Sequence, residues 1–129
     1  MPKNVYGILA DCPFSSPKHI IKKVLKDKNL PSWFFYPLIY VSARLFGGFN
    51  LNKETAENAV KNSKIPTIVM HGEADKFVPL NMSKPIKKAR SDIEYYTFPD
   101  AGHVLCYIVD TERYETLVKN FIDKYCPKK

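Results

Sequence analysis

The stretch "IPTIVMHGEADKFVP", residues 65–79, decides the fold. Its first part, Ile65 to His71, is almost continuously apolar and partly β-branched, the pattern of a parallel strand covered on both faces. Its second part leaves through Gly72 into a polar loop that carries Glu73 and Asp75. Downstream, a helix is expected at about 80–90, then a strand at 93–98 that ends in "FPDAGHVL", residues 98–105. Pro, Asp and Gly turn the chain there and present His103. The last helix is expected over Thr111–Tyr125, with Tyr114, Leu117, Val118, Phe121, Ile122 and Tyr125 along one face.

Upstream, "VYGILA" at 5–10 reads as a short buried strand that stops at Asp11-Cys12-Pro13. A helix follows to about Lys28, with Ser16 as N-cap and Pro17 at its first position. "NLPSW" restarts the chain into a second helix, to about Phe46, which Pro37 is expected to break or kink. Gly47-Gly48 ends it, and residues 53–62 read as a short polar helix. The order strand, helical insert, strand, helix, strand, helix predicts an α/β fold. Its core is a mostly parallel three-stranded sheet with flanking helices. Residues 1–129 are expected to form a single domain, with 17–64 as the helical insert.

Composition narrows the function. Apolar residues make up 45% and charged residues 26%, which describes a globular chain. No signal-peptide pattern opens it. The longest apolar stretch, "PSWFFYPLIYVSARLF", is shorter than the roughly 20 residues needed to span a bilayer. It reads as a buried or groove-lining helix, with membrane-surface contact a minor alternative, and no membrane partner is expected. Cys12, Cys106 and Cys126 cannot all pair within one chain, and no metal-spaced motif accompanies them. A reducing, cytoplasmic setting is the simpler reading, with no metal and no cofactor. The net charge of +7 reads as solvated helix faces; a basic nucleic-acid binder is the weaker alternative, since no recognition motif is present.

Functional groups in open parallel sheets gather at the carboxyl ends of the strands. Three exits are available: Asp11 and Cys12; His71, Glu73 and Asp75; Asp100 and His103. Asp75 and His103 are delivered to one edge by neighbouring strands, and a carboxylate beside an imidazole fixes its tautomer and stabilises its protonated form.

These segments resemble the α/β-hydrolases. The likeness lies in an apolar strand followed by HG-x-x-D-x-x-VP, then a strand ending in GH. "NVYGILADCPF" is similar to the strand that precedes the family's lid, and 17–64 matches that lid in character. The resemblance implies Asp75 as triad acid and His103 as general base, in the family order Ser, Asp, His. Asp11 is an alternative acid position and Cys12 an alternative nucleophile. Trp33, Phe34, Phe35, Tyr36 and Tyr40 would form the lid core or an acyl-chain pocket. His71 is expected to pack or hydrogen-bond at its strand end.

The family's nucleophile sits in a G-x-S-x-G elbow. None of Ser15, Ser16, Ser32, Ser42, Ser63, Ser83 and Ser91 has glycine two places before and after it. The chain therefore resembles the C-terminal half of a serine hydrolase of esters or amides, supplying acid and base but no nucleophile and inactive alone. The resemblance also implies an unpaired edge at residues 5–10, which would join a second copy in a homodimer or recruit a complementing N-terminal half. A non-catalytic remnant or interaction module, dimerising through that edge, is the alternative function.

Overall fold

The computed structural model describes residues 4–127. Three parallel strands form its sheet: β1 (Ile8–Asp11), β2 (Thr67–Gly72) and β3 (Glu94–Phe98), in the order β1-β2-β3. Register pairs Ile8 with Thr67 and Ile68 with Glu94. β2 is central and every one of its residues is buried, as its unbroken apolar run requires.

Six helices surround the sheet among the described residues. They are α1 (Pro17–Asp27), α2 (Ser32–Leu45), α3 (Ala56–Lys61), α4 (Lys84–Ala89), α5 (Cys106–Val109) and α6 (Thr111–Tyr125). Period-two alternation along β2 gives each sheet face its own core. Ile68 and Met70 pack with Phe98, Cys106 and Phe121 beneath α5 and α6. Val69 packs with Val60, Ile86 and Ile93 beneath α3 and α4. Arg90 joins the second layer together: its guanidinium donates to the carbonyls of Val60, Ser63 and Ile65 at 3.3, 2.6 and 2.7 Å.

Several expectations need correction. The first strand starts at Ile8 rather than residue 5 and runs on to Asp11. The Ile8 N–H bonds the Pro66 carbonyl at 2.9 Å, but Pro66 has no N–H to carry the ladder further back. Nor is the strand fully buried, because β1 is an edge and Leu9 is exposed. Ser16 stands at the start of α1, but its side chain makes no capping bond. The helix expected at 80–90 is a 3₁₀ turn, Leu80–Met82, followed by α4, with Pro85 in the first turn of α4.

Pro37 does not break α2, which runs through it. The bond that a proline forfeits there, to the carbonyl of Trp33, belongs to the helix's first turns and to a solvent-exposed residue. The aromatic cluster is not a lid core either, since no residue of α2 is buried. Trp33 and Phe34 are exposed, and Phe35, Tyr36 and Tyr40 are half-buried. On α6, Phe121 is buried and Tyr114, Leu117, Val118 and Tyr125 pack against the core, whereas Ile122 turns outward.

Candidate active site

β2 ends at Gly72, and this glycine is what lets the two relevant loops meet. A Cβ at position 72 would stand 2.2 Å from the Ala101 carbonyl oxygen, which is backbone and has little room to yield. With hydrogen there instead, the Glu73 N–H reaches the Phe98 carbonyl at 3.0 Å and the Ala74 N–H reaches the Ala101 carbonyl at 3.1 Å. The loop after β2 is thereby stitched to the loop after β3.

Asp75 sits in the first of these loops, buried. Its Oδ1 accepts from the backbone N–H groups of Phe77 and Val78 at 2.9 and 2.8 Å, an Asx turn that fixes the carboxylate. Its Oδ2 accepts from His103 Nδ1 at 2.8 Å. Because an ionised carboxylate only accepts, this contact places a proton on Nδ1 and leaves the lone pair of the neutral ring on Nε2. Burial raises the Asp75 pKa, but the bonds from His103, Val78 and Phe77 outweigh it and hold the carboxyl below its ordinary value. The Phe77 ring lies 5.0 Å from the imidazole, centroid to centroid, and packs against it.

His103 is half-buried and is followed by Val104 at φ 58°, a left-handed conformation that a β-branched residue rarely adopts. The Val104 N–H donates to Cys12 Sγ at 3.3 Å, which anchors the His103 loop to the end of β1. Strain of this sort persists where neighbouring contacts over-determine the backbone.

The other expected site residues fall as follows. Asp11 does not meet His103; its Oδ2 accepts from the Tyr114 hydroxyl at 3.3 Å. Cys12 is buried, and desolvation pushes its thiol pKa up, the opposite of an activated nucleophile. His71 is fully buried and donates from Nε2 to the Val78 carbonyl at 2.8 Å, bracing the Asp75 loop from below. Glu73 accepts from the Thr97 hydroxyl at 2.6 Å, away from the imidazole.

Among the described residues, two groups bring metal-type ligand atoms within 4.8 Å of one another inside each group, Asp11–Cys12–Cys106 and Cys12–His71–Asp75. Asp75 accepts three hydrogen bonds and Cys12 one, and burial favours the protonated thiol at Cys12 and Cys106, whereas Asp11 Oδ1 and His71 Nδ1 are buried with no hydrogen-bond partner among the described residues.

An open cavity of about 500 Å³ adjoins His103. Phe14, Ile20, Phe77, Val78 and Val104 supply most of its apolar wall, and Cys12 also lines it. None of the five α2 aromatics singled out from the sequence lines it. The signal for the actual wall lay in position rather than composition: these residues immediately follow β1, Asp75 or His103, or open α1.

No family model matches the chain. It is similar to the AB hydrolase superfamily protein YisY of Bacillus subtilis, with 26% identity over 102 residues. That match covers 78% of this chain and 37% of the relative, so the chain spans little more than a third of its length. Among solved structures, it superposes on an esterase of Pyrococcus furiosus with a TM-score of 0.61 and 22% identity, covering 97% of this chain and 47% of the esterase. It superposes on Rv0554 of Mycobacterium tuberculosis with a TM-score of 0.62 and 17% identity, covering 98% of this chain and 59% of that one. The chain is therefore related to the α/β-hydrolases and carries part of their fold.

Proposed function

We propose that this chain supplies the acid and the base of a hydrolase that cleaves esters or amides by acyl transfer. One observation carries the reading: a buried, doubly anchored carboxylate lies 2.8 Å from the Nδ1 of an imidazole at the edge of an apolar cavity. In this role His103 Nε2 takes the proton of an attacking hydroxyl and later returns it to the leaving group. Asp75 keeps the ring in the required tautomer and stabilises the imidazolium. The serine and the oxyanion donors come from a complementing segment with a G-x-S-x-G elbow, because no serine of this chain has the small neighbours such an elbow needs.

The test is hydrolysis of p-nitrophenyl esters, with fluorophosphonate labelling, by the chain alone and with an elbow-bearing α/β-hydrolase segment. Turnover is expected only with the complement, and His103→Ala should abolish it. Complemented turnover that survives His103→Ala would overturn the assignment.

A second reading is an interaction module that recruits its partner along β1. It is favoured by the geometry of that strand, which among the described residues pairs on one side only and exposes Leu9 on its face. Alternation along a parallel ladder turns the Leu9 and Asp11 N–H groups toward the open edge. A second copy or a complementing strand could add there.

A further inference from the structure

We propose that the α1–α2 hairpin is a docking surface for an anionic lipid bilayer. The charge of the molecule is not spread evenly. Residues 17–64 carry nine Lys and Arg against three Asp and Glu, so +6 of the net +7 belongs to this insert, while the rest of the chain is nearly balanced.

Within the insert, α2 has no charged residue before Arg44, and none of its side chains is buried. Phe34, Leu38, Val41 and Leu45 recur at i, i+4, i+7 and i+11 and are all exposed, forming one apolar stripe along the helix. Trp33 begins this surface at 79% exposure and Phe46 ends it at 89%. At the Trp33 end opens a groove of about 630 Å³ lined by Lys22, Lys23 and Lys26 of α1 and by Leu30, Pro31 and Ser32. Lys22 reaches α2, its ammonium 5.2 Å from the centre of the Tyr36 ring.

An exposed apolar helical face, with lysines on the opposite side and at the N-terminal end of the helix, is the arrangement that lies in a headgroup layer, the apolar side chains entering the acyl boundary and the long ammonium side chains reaching phosphate. A second copy of this chain fits less well, because it would set two +6 inserts against each other. A nucleic acid would use the lysines but leave the aliphatic stripe in water. Docking on lipid revises the expectation that no membrane takes part. It does not depend on the hydrolase reading, since it is read by binding alone.

Trp33 is the single tryptophan, so its emission reports insertion directly. With vesicles of phosphatidylcholine and phosphatidylglycerol at low salt, its emission should shift to the blue and the protein should sediment with the lipid. Phosphatidylcholine alone should give neither response, and added salt should weaken both. Leu38→Glu and the double variant Lys22→Glu/Lys26→Glu should each lower affinity at least about tenfold with unchanged far-UV circular dichroism. Any of four results would overturn the proposal: no shift and no sedimentation, equal binding to both vesicle types, a blue shift that grows with protein concentration without lipid, or displacement from vesicles by an oligonucleotide.

Discussion

Asp75 is where stability and chemistry meet. Its carboxyl is held below the ordinary value of 3.8 because the hydrogen bonds from His103, Val78 and Phe77 favour the ionised form more than burial opposes it. A depressed acid stabilises the native state above its unfolded pKa and loses that contribution as pH falls through its folded pKa. Urea midpoints of the wild type should therefore drop between neutral pH and pH values below 3.8, and Asp75→Asn should flatten part of that drop. In a complemented enzyme the same substitution should lower kcat on the order of 10⁴-fold, the effect of losing the tautomer-fixing acid in comparable triads. Gly72→Ala places a methyl against the Ala101 carbonyl and should destabilise by about 1–3 kcal/mol, read by chemical denaturation. The Asp75–His103 pairing was legible from the sequence because both residues follow neighbouring strands of one direction. The partner of Asp11 was not, because Tyr114 approaches from the last helix and nothing local announces a contact so distant in the chain.

At the level of elements, periodicity located the strands and the last helix, and it failed where an element's ends are set from outside. The beginning of β1 is decided by Pro66, the residue just before the neighbouring strand, so no pattern within residues 5–10 could reveal it. The apolar content of α2 suggested burial, yet hydrophobicity states a tendency and leaves open what covers the face. Arg90 escaped notice for a related reason. In sequence it is one more cation after a lysine-rich helix; in the fold it donates to three carbonyls between α3 and β2 and to Asp92 at 2.7 Å. Arg90→Ala leaves several of those carbonyls unpaired and should cost about 1.5–3 kcal/mol by denaturant unfolding. Arg90→Lys should restore little, because an ammonium cannot reproduce the planar fork.

For the whole molecule, the decisive feature is a sheet that stops at β1. Among the described residues its outer side carries backbone groups with no neighbouring strand, and Leu9 stands exposed on the strand, a combination that favours addition of a further strand. Size-exclusion chromatography with light scattering should detect self-association of the wild type at micromolar concentration, and Leu9→Lys should shift it toward monomer. A monomer at every concentration would leave strand addition without support. The exposed position of Trp33 has a practical consequence for all such measurements. An indole already in water in the native state changes its surroundings little when the chain denatures, so tryptophan emission is a poor reporter of global unfolding for this protein. Melting curves should be followed instead by backbone dichroism or by tyrosine absorbance, to which Tyr95, Tyr96, Tyr114 and Tyr125 contribute from beside the core.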